Sequence, residues 1–139
     1  MQNMKNCRNI LNLKIIKSKV HSDARGSLFP VNNSQIPFSV RRSFTVYDVP
    51  EGETRGYHAH HNTEQILSCL RGSLEITLKD LSGQEITTVL KKGDSLHQYP
   101  YEWAEITFGL DSILHTVCST DYDESDYIRS FNEFLSYKD

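Results

Sequence analysis

The chain has 139 residues and a mass of 16.0 kDa, which suits one domain over residues 1–139 with a single hydrophobic core. Its net charge of −3 and pI near 6.0 argue against a general nucleic-acid-binding role, and no apolar run is long enough to span a membrane. The basic N-terminus lacks the apolar region of a signal peptide, and Cys7, Cys69 and Cys118 form no CxxC pair. These features predict a cytoplasmic protein with reduced thiols.

Short β-strands separated by turns dominate the predicted structure. Segments rich in β-branched and aromatic residues predict strands at 10–16, 27–31, 38–48, 66–70, 74–78, 85–90, 95–99, 101–108 and 113–119. The short connection Arg71-Gly72-Ser73 predicts a hairpin between two of these strands. About ten short strands with frequent turns indicate a sandwich or a barrel.

A helical pattern occurs only near the C-terminus. Ser125 or Asp126 is the expected N-cap, and the apolar face of the helix would carry Ile128, Phe131, Phe134 and Leu135. We therefore expect an all-β domain with one short C-terminal helix.

The segment Arg55-Gly56-Tyr57-His58-Ala59-His60-His61 is the main functional signal. Because side chains two apart on a strand share a face, His58 and His60 should stand side by side, with Tyr57, Ala59 and His61 turned away. Two imidazoles on one face suit either metal ligation or proton transfer.

The spacing of Gly52, His58, His60 and Glu64 resembles the first motif of the cupins, which are small jelly-roll β-barrels. In metal-binding cupins, a histidine from a second motif completes the ligand set, but here Glu105 stands at that position. Three ligands, or four with Glu105, could still hold a first-row metal. The incomplete second motif favours proton transfer, and we predict that no metal is used.

Imidazoles suit proton transfer because they titrate near neutrality, and a low dielectric can leave one ring neutral beside a charged neighbour. Such a pair fits chemistry at a carbon next to a carbonyl, where a base removes a proton and an enediol must be stabilised. Arg55 is a permanent cation that could offset negative charge nearby.

Longer motifs resemble the WxcM-like 3,4-ketoisomerases, cupins that act on dTDP-4-keto-6-deoxy-D-glucose. The resemblance extends from Arg25 to Phe134. It rests on Arg25-Gly26-Ser27-Leu28, Ile36-Pro37-Phe38-Ser39-Val40-Arg41-Arg42, Arg55-Gly56-Tyr57-His58-Ala59-His60, Glu64-Gln65, Cys69-Leu70, Gly72-Ser73, Trp103 and the acidic segment 121–129.

This resemblance implies a cupin-type jelly-roll barrel that moves the sugar ketone from C4 to C3 without a cofactor. It implies that His60 is the base that shuttles a proton between C3 and C4, and that His58 assists proton movement at the sugar oxygens. The family is dimeric, which implies a homodimer. Its product would be used to make a 3-amino-3,6-dideoxyhexose for a surface polysaccharide, such as the O-antigen of lipopolysaccharide or an S-layer glycan. The predicted substrate-binding residues are Arg55, Arg41, Arg42, Gln65, Trp103 and Tyr101.

Two positions depart from the family pattern. Ala104 stands where a histidine usually follows the tryptophan, and Phe44-Thr45 occupies the place of an expected tyrosine. The residues that could substitute are His97, Tyr99, Tyr101 and His115. The configuration at C4 of the product, gluco or galacto, stays open. The alternatives are a dTDP-sugar 3,5-epimerase, a non-catalytic nucleotide-sugar-binding cupin and a metal-dependent cupin enzyme.

Overall fold

A computed structural model describes residues 8–138, so Cys7 lies outside the described residues. Within this range the chain forms twelve strands, one α-helix and three short 3₁₀ turns, the latter at Ile10–Asn12, Asn33–Gln35 and Glu124–Asp126. The strands and the helix are β1 Ile16–Lys17, β2 His21–Asp23, β3 Gly26–Leu28, β4 Arg42–Val46, β5 Thr54–His60, β6 Gln65–Arg71, β7 Ser73–Lys79, β8 Glu85–Lys91, β9 Asp94–Gln98, β10 Trp103–Phe108, β11 Ile113–Cys118, β12 Tyr127–Ile128 and α1 Phe131–Ser136.

Two five-stranded antiparallel sheets enclose the main core. One sheet has the order β1-β9-β6-β11-β4, the other has the order β12-β5-β10-β7-β8, and β2 and β3 form a separate ribbon. Alternate residues of both sheets point inward, so Leu67 and Leu114 of the first sheet join Ile76 and Ile106 of the second in one buried cluster. The predicted all-β architecture with a short C-terminal helix is confirmed.

The strand predicted at 10–16 is wrong for most of its length. The side chain of Asn9 accepts a hydrogen bond from the backbone N–H of Leu11 and begins a 3₁₀ turn instead. Only Ile16 and Lys17 pair with a strand, opposite Ser95 and Asp94 of β9. Local capping by asparagine therefore overrides the β-branched composition of this segment.

The hairpin predicted at 71–73 is also wrong. Strand β6 lies between β9 and β11, whereas β7 lies between β10 and β8 in the opposite sheet. Gly72, with a φ of +74°, turns the chain from one sheet to the other, and the Ser112 hydroxyl accepts the N–H of Ser73 just after the turn. A short turn thus joins two strands that face each other across the core.

The C-terminal helix begins later than predicted. Its N-cap is Ser130, whose hydroxyl accepts the N–H of Glu133, and Phe134 is its buried anchor. Neither Ser125 nor Asp126 caps it, because the chain there forms a 3₁₀ turn and then β12, which pairs with the end of β5. This added strand brings Asp126 against the histidine segment.

No helix within residues 8–138 is long and apolar enough to cross a membrane.

Candidate active site

A β-bulge in β5 sets the direction of the functional side chains. Ala104 and Glu105 of β10 are adjacent, yet they pair with His58 and Gly56, so Tyr57 is an extra residue. Gly56 and Tyr57 take φ values of +98° and +55°. A Cβ on Gly56 would lie 2.8 Å from the carbonyl oxygen of Ala104, so the bulge requires glycine. The extra residue resets the strand alternation, so that Arg55 and His58, three apart, both line the same cavity, although Arg55 is exposed to solvent.

His60 is fully buried and is held at both ring nitrogens. Its Nδ1 lies 2.9 Å from Oδ2 of Asp126, and its Nε2 lies 3.1 Å from the side-chain amide nitrogen of Gln65. An ionised carboxylate only accepts hydrogen bonds, so Nδ1 carries the proton. Nε2 therefore carries a lone pair, which accepts the Gln65 amide here and can act as a general base once that hydrogen bond is released.

Asp126 is the anion behind this histidine. Burial by itself would raise its pKa, but hydrogen bonds from His60, from the Thr63 hydroxyl and from the backbone N–H of Asn62 hold the pKa well below its usual range. The carboxylate therefore stays charged at neutral pH. It orients the imidazole and would stabilise the positive charge that the ring gains on taking a proton.

His58 stands beside His60, as predicted, with ring centroids 5.0 Å apart and the rings at right angles. Its Nδ1–H donates to the carbonyl oxygen of Gly56 at 3.0 Å, which leaves Nε2 as an acceptor. Burial, reinforced by the positive charge that His60 can carry, lowers the pKa of His58 to about 4. The ring is therefore neutral at physiological pH.

A cavity of about 100 Å³ lies between the two sheets beside His58. On the sheet wall of this cavity, residues that lie directly opposite each other on β4, β11 and β6 form rows across the strands. Cys118 lies between Arg42 and Gln65, and the next inward row contains Thr116 between Phe44 and Leu67. The side chains that line the cavity are those of Phe44, Val46, Arg55, His58, Gln65, Leu67, Gln98, Ala104, Ile106, Phe108, Leu114 and Thr116, together with the Gly56 backbone.

The structure brings some of the predicted substrate-binding residues to this cavity. Gln65 is buried in its wall, and the solvent-exposed Arg55 also lines it. Arg42 is half-buried, with its guanidinium nitrogen 3.3 Å from the Tyr127 hydroxyl. Arg41 lies on the surface and forms an ion pair with Asp121 at 3.4 Å.

Trp103 and Tyr101 lie elsewhere. The indole of Trp103 packs against Phe131 and Phe134 of α1 in a second hydrophobic cluster and donates a hydrogen bond to Glu105. The Tyr101 hydroxyl lies 2.9 Å from Nδ1 of His61. Neither side chain lines the cavity, so the positions of these residues do not support their predicted contact with substrate.

Two residues that had no predicted functional role complete the site. Asp126 holds His60, and the Tyr127 ring packs 5.0 Å from His58 and 4.4 Å from His60, measured between ring centroids. Both belong to the acidic segment 121–129, so the motif was visible but gave no role to its members. Their function becomes apparent only when β12 pairs with β5.

The residues considered as replacements for the family histidine also lie outside the cavity. His97 is 3.0 Å from the Glu64 carboxylate and stacks on Tyr99, and His115 is 3.0 Å from the Thr45 hydroxyl. Ala104, in contrast, lies in the cavity wall opposite His58. A histidine at position 104 would therefore project into the cavity, and here that space is open.

The carboxylates of the metal-binding alternative are engaged by other side chains. Glu64 is engaged by His97, and Glu105 forms an ion pair with Lys79 at 3.1 Å. Across residues 8–138, no group of three or more histidine, cysteine or acidic side chains is arranged to hold a metal ion. The ligand set proposed from the sequence is thus not assembled.

Two facing antiparallel sheets with a histidine pair on the inner face of β5 define a cupin-type barrel enzyme. The family model described as "FdtA: WxcM-like, C-terminal" matches residues 11–139, and the chain belongs to this family.

Named relatives share most of the chain. It is 37% identical over 126 residues to the TDP-4-oxo-6-deoxy-alpha-D-glucose-3,4-oxoisomerase of Aneurinibacillus thermoaerophilus, a match that covers 89% of this chain and 91% of that protein. The structure of the sugar 3,4-ketoisomerase QdtA from Thermoanaerobacterium thermosaccharolyticum in complex with TDP matches with a TM-score of 0.83 and 32% identity, covering 94% and 96% of the two chains. WlaRA, a TDP-fucose-3,4-ketoisomerase from Campylobacter jejuni, matches with a TM-score of 0.78 and 31% identity, covering 92% and 96%.

Proposed function

We propose that this protein is a dTDP-4-keto-6-deoxy-D-glucose 3,4-ketoisomerase. Family membership supports the reaction class, and the TDP-sugar names of its relatives support the substrate. The observation that carries the proposal is the state of His60, a buried imidazole with an anion at Nδ1 and a lone pair at Nε2 that accepts a hydrogen bond from the Gln65 amide.

The reaction is a pair of proton movements within the sugar. Nε2 of His60 removes the proton from C3, an enediol forms, and the same nitrogen returns a proton to C4. The hydroxyl proton of O3 leaves as that oxygen becomes the ketone, and O4 gains a proton as it becomes the hydroxyl. Each step transfers a proton between carbon, oxygen and imidazole, so the proposed chemistry requires no redox cofactor.

Each histidine has a distinct role in this scheme. His60 becomes an imidazolium after the first step, and the Asp126 carboxylate at 2.9 Å stabilises that charge. His58 starts neutral, so its Nε2 can take the proton from O3, which makes the ring transiently cationic, and then deliver that proton to O4. The substrate must displace the Gln65 amide from Nε2 of His60 before proton abstraction begins.

Cations near the cavity suit a nucleotide diphosphate. Arg55 lines the cavity and reaches solvent, so its guanidinium can meet a phosphate oxygen outside while the sugar enters. Arg42 and Arg41 lie on and just before β4, whose Phe44 and Val46 line the cavity, and they are further candidates for the diphosphate. The thymine specificity is carried over from the names of the relatives.

We also propose a cytoplasmic homodimer. Support for the dimer comes from a groove of about 250 Å³ on the outer face of β6 and β11, which is lined mainly by apolar side chains. Light scattering at micromolar concentration tests it, and a mass near 16.0 kDa would refute it.

The 3-keto product would feed an aminotransferase that makes a 3-amino-3,6-dideoxyhexose for lipopolysaccharide or an S-layer glycan.

The direct test is NMR of the product formed by the purified protein from dTDP-4-keto-6-deoxy-D-glucose. A carbonyl carbon at C3 supports the proposal, and the configuration at C4 distinguishes gluco from galacto. Inversion at C3 and C5 with the ketone still at C4 would indicate the 3,5-epimerase. Tight dTDP binding without turnover would indicate a binding protein, and loss of activity with a chelator would indicate a metal enzyme.

His60→Asn should abolish turnover, and full activity in this variant would refute the role of His60.

A further inference from the structure

Thr116 is a polar residue on the inner face of β11 whose environment is otherwise apolar. It is completely buried, and it pairs with Phe44 on one side and with Leu67 on the other. All three side chains line the cavity that also contains His58. Thr116 thus belongs to the wall of the candidate active site.

The hydroxyl oxygen has no hydrogen-bond partner among residues 8–138. Other buried hydroxyls of this sheet are satisfied, for example Ser68 with Ser95 at 2.7 Å. Leaving a buried hydroxyl unpaired destabilises a fold, and valine would fill the same shape without that cost. Two other buried polar atoms, Oγ of Ser18 and Nε of Arg42, are unpaired among the described residues, but only Thr116 lines the cavity.

The size of the cavity limits what can reach this hydroxyl. The cavity of about 100 Å³ is small, so one edge of a hexose fits and a nucleotide does not. A 6-deoxyhexose offers both hydrocarbon and oxygen atoms along such an edge. Its hydrocarbon can contact Phe44, Leu67 and Leu114, while one sugar oxygen is available to Thr116.

We infer that Thr116 is a substrate-contacting residue whose hydroxyl forms a hydrogen bond with an oxygen of the hexose. The inference rests on the proposed function, because it identifies the ligand as the sugar of a nucleotide-linked 6-deoxyhexose. Because Thr116 contacts the sugar and not the nucleotide, it contributes to the affinity for dTDP-sugars but not to the affinity for dTDP.

Calorimetric titration of Thr116→Val with dTDP and with dTDP-6-deoxy-D-glucose tests this assignment. The second ligand lacks the ketone, so it binds without reacting. We expect Thr116→Val to lower the affinity for dTDP-6-deoxy-D-glucose about three- to tenfold, which is the effect of one hydrogen bond. The affinity for dTDP should not change. Thr116→Ser keeps the hydroxyl and should retain most of the affinity. The unfolding temperature of the valine variant should equal or exceed that of the wild type.

Three outcomes would overturn the inference: wild-type affinity of Thr116→Val for dTDP-6-deoxy-D-glucose, an equal loss of affinity for dTDP, or a lowered unfolding temperature that reveals a structural role. The titration is independent of turnover. If the wild type fails to isomerise the 4-keto sugar but the titrations behave as expected, the proposed reaction fails and the sugar contact stands.

Discussion

Replacing Asp126 by asparagine should change the tautomer of His60. Oδ1 of Asp126 accepts the N–H of Asn62 at 2.7 Å, and Oδ2 accepts from Nδ1 of His60 at 2.9 Å. In the variant, the amide oxygen must remain opposite the Asn62 N–H, because turning the amide would place two donors against each other. The new NH₂ group then faces His60 and must donate to Nδ1. The ring proton consequently moves to Nε2 and removes the lone pair that acts as the base.

The expected loss follows from the size of general-base catalysis. A positioned base contributes about 10²- to 10⁴-fold, so Asp126→Asn should lower kcat by that factor. This corresponds to about 3 to 5 kcal/mol in the activation free energy. Initial rates with dTDP-4-keto-6-deoxy-D-glucose measure the loss, and nitrogen NMR of the imidazole identifies the protonated ring nitrogen.

A matched substitution separates this effect from a general loss of acidic charge. Asp111 is exposed and pairs with Arg71 at 3.5 Å, outside the cavity. Its φ of 49° is tolerated by asparagine, so Asp111→Asn should behave as the wild type. Turnover of Asp126→Asn within about twofold of the wild type, or a proton still at Nδ1, would refute the reasoning.

Two other predictions concern stability. Because the pKa of His58 falls from 6.5 to about 4 on folding, only the unfolded chain takes up a proton between these values. The free energy of unfolding of the wild type should therefore fall by about 3 kcal/mol more than that of His58→Gln between pH 6.5 and pH 4. Urea titrations measure this difference. Parallel pH profiles of stability for the two proteins would contradict it. Gly56→Ala should cost more stability than Gly83→Ala. Both glycines have positive φ, but only the Cβ at position 56 meets a backbone oxygen, at 2.8 Å, whereas nothing lies within 4 Å at position 83. The positive φ alone should lower the stability of either variant by about 1–2 kcal/mol. Equal urea midpoints for the two variants would contradict the added effect of the close approach at position 56.

The side-by-side placement of His58 and His60 was predictable because it depends only on strand alternation over three residues. The alternation also identified most strands. It did not place Arg55 at the cavity, because that position depends on the bulge at Tyr57, and a bulge is defined by the register against β10. Local patterns carry no information on that register.

The partner of His60 was not predictable for a similar reason. Asp126 is 66 residues further along the chain, and it reaches His60 through the pairing of β12 with β5. The local pattern around Asp126 resembles a helix cap, which is the structure we expected there. The hairpin at Gly72 failed because turn residues do not specify whether the chain continues in the same sheet or crosses to the opposite one.

Solvent-deuterium incorporation, followed by NMR, tests the central claim most directly. With dTDP-4-keto-6-deoxy-D-glucose in deuterated water, the wild-type protein should form a 3-keto sugar that carries deuterium at C4, because His60 exchanges its proton with solvent before returning it. The His60→Asn variant should leave both C3 and C4 unlabelled. Deuterium at C5, or labelling at C4 in the variant at the wild-type rate, would contradict proton shuttling between C3 and C4 by His60.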